Sequence, residues 1–267
     1  MDGLDATQLD RYSRHVIMGD VGPDGQERLL DGSVLVVGAG GLGSPVIQYL
    51  AAAGVGRLGL ADGDTVELSN LHRQVVHGTA DVGRPKVDSA EETVADLNPD
   101  VRVETHGEVS RATVMDLVTE YDVVVDASDN FPTRFLLNDA CVLADIPLVH
   151  GAIYRFEGQT TTVSAGGRPC YRCLFPEAPP EGTIPDCAEA GVLGVLPGTI
   201  GAIQATEAIK LLLGVGDSLA GRLLIYDARD LSFDTVDLAP DPDCPVCSRE
   251  AAIAAVDDVK YEGRCAI

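Results

Sequence analysis

Apolar and polar positions along this chain fall into alternating blocks. Val34–Val37 is an unbroken apolar run that enters Gly38-Ala39-Gly40-Gly41-Leu42-Gly43, and Ser44–Ala53 follows as a predicted helix. Leu58–Ala61 is a second apolar run, ending at Asp62. Strand, glycine turn, helix and strand in that order make a βαβ unit. The alternation continues with a polar loop over 63–83 and a helix over Pro85–Leu97. Strands are then predicted at Val101–His106, Tyr121–Ser128 and Ile146–Ile153, with helices at Val114–Glu120 and Pro132–Ala144 between them. Residues 7–31 read as a polar helical segment carrying Arg11, Arg14 and Arg28. A first half built this way predicts a doubly wound, mostly parallel α/β sheet.

The second half is patterned differently. Gly158–Gly166 is rich in β-branched residues, and a stretch rich in Pro and Gly runs from Pro176 to Gly198. That stretch is long for a structureless connection in one domain, so the expectation is a functional or a mobile segment. Thr199–Leu213 is a strong helix stopped by Gly214, and Leu223–Ala228 with Ser232–Leu238 predicts a terminal hairpin, an antiparallel extension of the sheet. No internal repeat is visible. The expectation is one domain over residues 1–247 and a tail over 248–267.

Composition narrows the classes. Hydrophobic residues are 45% of the 267, aromatics only 4%, and Trp is absent. A core of Ala, Val, Leu and Ile suits a parallel sheet covered by helices. The net charge is -23, with 42 acidic against 19 basic residues. Direct nucleic-acid binding through a broad basic face is therefore not expected, because phosphate neutralisation needs clustered cations. Acidic excess with only three lysines (Lys86, Lys210, Lys260) points to a halophilic protein, kept soluble where concentrated salt screens its self-repulsion. No window reaches the roughly 18 apolar residues of a membrane span, and the acidic N-terminus lacks a signal-peptide core. A cytoplasmic location is the expectation.

Candidate chemistry sits at the block boundaries. A GxGxxG turn between strand and helix lets backbone N–H groups approach phosphate, and Asp62 at the next strand end is placed to accept ribose hydroxyls. This says nucleotide, without separating ATP from NAD. Arg73 and Lys86 follow closely, cations in an acid-rich chain, suited to the β- and γ-phosphates of a triphosphate; solvent-facing side chains are the plain alternative. Asp129 follows the buried run Val123–Val125, at a strand end where a carboxylate can hold magnesium against phosphate oxygens; helix N-capping by Asp129 or Asn130 is the alternative or coexisting role. Cys170, Cys173, Cys244 and Cys247 form two CxxC knuckles, four thiolates that would saturate a structural zinc; two redox pairs are the alternative. Cys187 lies in the Pro/Gly stretch, where an accessible thiolate can attack an activated acyl group. Cys141 and Cys265 fit inert roles.

Several of these runs stand in an order known from one family. GAGGLGS, ADGDTVELSNLHRQ, GRPK, DASDN, CYRC, DCAEAGVLG and CPVC occur in that order, the match runs from about Leu9 to Cys247, and the chain resembles the MoeB/ThiF-type adenylyltransferases, relatives of ubiquitin-activating enzymes. The resemblance implies a Rossmann-like domain that uses ATP and magnesium. It places Gly41, Asp62, Ser69, Asn70, Leu71, His72, Arg73, Gln74, Lys86, Asp129 and Asn130 around the nucleotide, beside the glycines Gly38, Gly40 and Gly43. It makes Arg14 a residue donated into the neighbouring subunit's site, which implies a homodimer, and makes the four knuckle cysteines zinc ligands. Cys187 matches a crossover-loop cysteine that forms a thioester or relays sulfur in some members. The implied partner is a β-grasp, ubiquitin-like modifier or sulfur carrier ending in Gly-Gly, adenylated on its terminal carboxylate. In archaea such enzymes serve protein conjugation, tRNA thiolation and molybdopterin synthesis. No rhodanese-like pattern follows Cys247, so the sulfur is expected from elsewhere. The rival readings are a dedicated molybdopterin-synthase adenylyltransferase serving one carrier, an NAD-dependent oxidoreductase, and a non-catalytic subunit of a split activating enzyme.

Overall fold

The computed structural model describes residues 3–177 and 191–261. Among these, eight strands form one sheet: β1 (Ser33–Val37), β2 (Arg57–Ala61), β3 (Arg102–His106), β4 (Val123–Asp126), β5 (Leu148–Tyr154), β6 (Glu157–Val163), β7 (Arg222–Asp227) and β8 (Ser232–Asp237). Their spatial order is β3-β2-β1-β4-β5-β6-β7-β8. The first five run parallel, and β6, β7 and β8 add antiparallel.

The chain winds outward from β1 through β2 to β3, then returns to lay β4 on the other side of β1. The C-terminal ends of β1 and β4 therefore flank the point where the winding reverses, the crevice where open α/β sheets bind ligands. Alternate residues of β1 face opposite layers. Val34 and Val36 join a core beneath α4 (Gly43–Ala53), α5 (Lys86–Leu97) and α9 (Leu196–Leu213), while Leu35 and Val37 join a core beneath α6 (Val114–Val118) and α7 (Phe131–Ala144). With both faces covered, β1 is buried at every position, hence the unbroken apolar run in the sequence.

The N-terminal segment differs from one continuous helix. It forms α1 (Ala6–Arg11), α2 (Ser13–Val16) and α3 (Gly22–Asp31). Gly22 takes φ +63°, a left-handed conformation that a helix interior does not use, and Pro23 then starts α3. Helix α9 begins at Leu196, three residues before the expected Thr199, because Pro197 falls in its first turn, where its missing N–H costs no hydrogen bond. A short helix α8 (Tyr171–Leu174) carries the first knuckle and left no periodic signal, being a single turn. Residues 248–261 lie on the α7 side, where Ile253 and Val256 are buried and Tyr261 Oη donates to Asp139 at 2.8 Å.

Candidate functional site

The glycine turn is forced by close approach. Gly38 has φ +101°, and a Cβ there would sit 2.6 Å from the Ala127 carbonyl oxygen, so β1 and β4 can end side by side only around glycine. A Cβ on Gly43 would run into the Gly38 carbonyl. Gly40 faces the Gln74 amide, and Gly41 faces the Arg73 stem and Pro197 of α9. The loop therefore lies among side chains from the 69–74 segment and the first turn of α9.

Both polar groups of Ala39 are tied. Its N–H donates to Asp62 Oδ2 at 2.8 Å, and its carbonyl accepts from His77 Nε2 at 2.9 Å. With Nε2 as the donor, His77 Nδ1 accepts from Ser89 Oγ at 2.9 Å. Burial pushes the His77 imidazolium below its usual range, which keeps the ring neutral in that arrangement. Burial pushes the Asp62 carboxyl up, opposed by Lys86 and by the backbone donors of Asp64 and Ala39. Lys86 Nζ stands 2.7 Å from Asp64 and 3.9 Å from Asp62, with its side chain only 8% exposed. Lys86 is thus a cation held at the mouth of the glycine turn and does not lie out in solvent.

The 69–74 segment is fixed by local bonds. Asn70 Oδ1 accepts from the Glu67 N–H at 3.1 Å, and the Asn70 carbonyl accepts from the N–H groups of Arg73 and Gln74. Ser69 Oγ donates to Glu67 at 3.1 Å, and Leu71 is half-buried. Arg73 Nη1 bonds the Ser69 carbonyl at 3.1 Å and His72 Nε2 at 3.0 Å, and the Arg73 stem lies alongside Gly41. Gln74 is buried with its Nε2 beside Gly40, and its Oε1 has no protein partner. A buried amide oxygen left without a protein partner suits a ligand donor.

The turn from β4 to α7 closes the other side. Asn130 is the N-cap of α7, its Oδ1 accepting from Thr133 N–H at 2.9 Å, so the capping role falls to Asn130. Asp129 precedes it with an exposed side chain, at the C-terminal end of β4 where the crevice opens. A carboxylate oxygen on a strand end is the donor chemistry magnesium takes.

The four knuckle cysteines converge on one point. Their sulfurs all lie within 4.8 Å of one another, with Cys170–Cys244 at 3.6 Å and Cys173–Cys247 at 3.4 Å. Tetrahedral zinc with Zn–S of about 2.3 Å needs sulfurs about 3.8 Å apart, so the set fits zinc and two redox pairs do not explain it. The thiols also disturb one another. A hydrogen bond from Cys170 pulls the Cys244 thiol down, while burial pushes Cys247 up. Cys141 is fully buried on α7, and burial pushes its thiol up, as suits an inert packing residue. Cys187 and Cys265 lie outside the described residues.

Arg14 is the one expected site residue among the described residues that the fold keeps apart from the others. Its neighbour Tyr12 packs on Gly54, and His15 bonds Gln26, which donates to the Ala53 carbonyl. These contacts put Arg14 at the C-terminal end of α4. The glycine turn is at the other end of this 11-residue helix, about 16 Å away.

Gly38, Gly40, Gly41, Gly43, Asp62, Asn70–Gln74, Lys86 and the Asp129–Asn130 turn therefore surround one crevice at the reversal of winding. The description of the ThiF family matches residues 12–246 of this sequence. The chain belongs to the ThiF family. It is 63% identical over 265 residues to the SAMP-activating enzyme E1 of Haloferax volcanii, covering 99% of this chain and 97% of that one. It is 53% identical to the sulfur carrier protein adenylyltransferase of Thermus thermophilus, covering 97% of each. Among solved structures it superposes on E. coli MccB with MccA-N7isoASN at a TM-score of 0.79, over 90% of this chain and 75% of that one, at 23% identity. That likeness bears on the fold alone, and it agrees with the mostly parallel sheet and antiparallel extension expected of this ThiF-family chain.

Sequence reasoning missed the polar groups buried beneath this crevice: His77, Asp126, Arg134, His150 and Gln204. A signal existed for two of them. Asp126 ends an apolar strand and His150 interrupts one, and a polar residue on a strand buried on both faces needs a partner. For Arg134 and Gln204, on helices, the pattern carried no such mark. Among the described residues no helix is long and apolar enough to cross a membrane.

Proposed function

We propose that this chain adenylates the terminal carboxylate of a ubiquitin-like modifier or sulfur carrier ending in Gly-Gly, using ATP. The observation that carries the reading is the crevice itself: a glycine turn, Arg73, Lys86 and the Asp129 turn around one point, in a chain nearly two-thirds identical to a SAMP-activating enzyme. Two cations there favour a triphosphate over a dinucleotide.

The glycine turn and the N-terminus of α4 cradle phosphate, and Asp62 with Asn70 and Gln74 line the nucleoside side. The partner's carboxylate attacks the α-phosphorus, the bond to the pyrophosphate oxygen breaks, and acyl-adenylate and pyrophosphate result. No general base is needed, because a terminal carboxyl titrates near 3.3–3.7 and is already ionised. Lys86 and Arg73 stabilise the charge gathering on the departing pyrophosphate. Asp129 would hold magnesium, which would supply positive charge to the triphosphate. Cys170, Cys173, Cys244 and Cys247 would hold a structural zinc that ties the segment after β8 to α7 and α8.

Arg14 acts in trans in this reading, its distance from its own glycine turn supporting a symmetric homodimer. His15 and the exposed Tyr49 line a groove between α2, α4 and α9, and Ile17 and Met18 are exposed apolar residues just after α2. Leu231, Phe233 and Val236 are exposed on the β7–β8 hairpin at the open edge of the sheet, which supports docking of a small protein there. The location is the cytoplasm, where ATP and reduced thiols coexist. The decisive test is exchange of labelled pyrophosphate into ATP with each small Gly-Gly protein of the source proteome; no exchange with any of them would refute the reading.

Cys187 would take the acyl group after adenylation. Cys187→Ser is expected to leave pyrophosphate exchange unchanged and to abolish the thiol-sensitive conjugate or the sulfur transfer, read by non-reducing gel and mass spectrometry. Full transfer by that variant would assign the acyl group to an external sulfur donor. The halophilic reading predicts that dialysis into low salt abolishes activity and that returning molar salt restores it; activity undiminished in dilute buffer counts against it.

A further inference from the structure

The turn that presents Asp129 is bound from beneath by groups that the adenylation chemistry does not use. Asp126 is fully buried, and three donors converge on its carboxylate: His150 Nδ1 at 2.7 Å on one oxygen, Ser128 N–H at 3.0 Å and Ser128 Oγ at 2.6 Å on the other. The Asp126 carbonyl accepts from Gln204 Nε2 at 2.8 Å, and the Ser128 carbonyl accepts from Arg134 Nη2 at 3.2 Å. The Ala127 N–H donates to the Val37 carbonyl at 2.9 Å, and Asn130 caps α7. The backbone on both sides of Asp129 is therefore tied, and Asp129 is the position whose side chain is turned outward.

The tautomer of His150 follows from its surroundings. Its ring is fully buried 4.6 Å from that of Tyr171, and its Nδ1–H must donate, since the Asp126 carboxylate only accepts. Burial holds the ring neutral despite the adjacent carboxylate, and His150 Nε2 has no protein partner. Burial alone would raise Asp126; the His150 donor, the Arg134 charge and the Ser128 bonds outweigh it and keep Asp126 ionised. A buried charge of this kind is a poor device for stability, since apolar residues of the same volume would pack at least as well between these strands. Its directed bonds do what apolar packing cannot, fixing the path of the chain through Ser128.

We propose that Asp126 and His150 are positioning residues that set the β4–α7 turn so that the Asp129 carboxylate meets the magnesium of MgATP. This rests on the reading of Asp129 as the magnesium carboxylate. Groups that orient a metal ligand typically contribute 10–100-fold in metal affinity.

The test is calorimetric binding of ATP to the intact protein, with and without magnesium, in the absence of any partner. His150→Phe fills the site but removes the donor; it is expected to lose about tenfold of the magnesium-dependent gain in ATP affinity, with metal-free ATP affinity unchanged. His150→Asn keeps a donor near the Nδ1 position and is expected to restore the gain. Ser128→Ala, which deletes one hydroxyl and is the safer variant for folding, is expected to show a smaller loss of the same kind. Asp129→Asn serves as the benchmark and should abolish the gain. If His150→Phe and Ser128→Ala keep the full gain while Asp129→Asn loses it, the positioning role is wrong and the Asp129 reading stands. Equal losses with and without magnesium would make the role merely structural and also overturn it. If Asp129→Asn keeps the gain, the reading beneath the proposal fails and the proposal falls with it.

Discussion

Replacing Lys86 by Ala is expected to lower partner-dependent pyrophosphate exchange by roughly 10²–10³-fold, the usual cost of removing one preorganised group from a site of developing charge. The effect should fall on kcat more than on the KM for ATP, because charge on the leaving pyrophosphate grows only as the bond breaks. Folding should survive. Asp64, the nearer carboxylate to Lys86, is 73% exposed and returns to water when the lysine goes. Asp62 keeps its donors from Ala39 and Asp64, and its carboxyl is already pushed toward the neutral form by burial. The expected cost in stability is about 1–2 kcal/mol, readable as a lowered unfolding midpoint. Wild-type exchange by Lys86→Ala would remove the lysine from the chemistry. The same variant tests the shared site. Mixed with Arg14→Ala, it should recover about a quarter of wild-type activity, since half the dimers are mixed and each of those carries one intact site of two. No recovery would place Arg14 outside the site of a second copy.

Removing the metal from the four-cysteine cluster should unfold the protein. Structural zinc supplies roughly 10–16 kcal/mol in small domains, comparable to the whole stability of a typical fold, about 5–15 kcal/mol. The cluster also holds distant segments: Cys170 and Cys244 are fixed in the core beneath α7, and Asp241 N–H donates to Cys173 Sγ at 3.4 Å. Elemental analysis is expected to find one zinc per chain. A strong chelator should collapse the cooperative unfolding transition seen by circular dichroism, and Cys244→Ala should express poorly or unfold at a much lower temperature. Metal-free protein with an unchanged transition would reject a structural zinc.

How far the site was legible varies with what each residue depends on. The glycine turn, Asp62 and the two knuckles announced themselves, because tight turns and ligand pairs impose residue types at fixed short spacing. Asp129 and Asn130 were readable as a pair, but which of them capped the helix was not. That depends on backbone angles at Asn130, and its extended conformation places its side chain over the first turn of α7. Lys86 stood open between a phosphate-facing and a solvent-facing role. Only the approach of Asp62 and Asp64 shows it held at the crevice. The N-terminal segment forms three helices where its composition predicts one, because the backbone turns around Gly19 and Gly22.

The amino-acid order alone determined the strands and the long helices, though not the single-turn α8 or the breaks between α1, α2 and α3, because the apolar period is a property of neighbours in the chain and the doubly buried strands need unbroken apolar runs. It also determined the glycine turn and the number of thiols available to a metal. Folding in three dimensions decided which strand lies against β1, and hence that Gly38 meets Ala127 at the crevice. It decided that Cys170 meets Cys244, 74 residues away, and that Arg14 sits at the far end of α4 from its own site. It set the Asp126–His150 pair under the Asp129 turn, 24 residues apart in the chain and 2.7 Å apart in space. Such pairings rest on strand order and on burial from both sides of the sheet, which join residues that no local pattern connects.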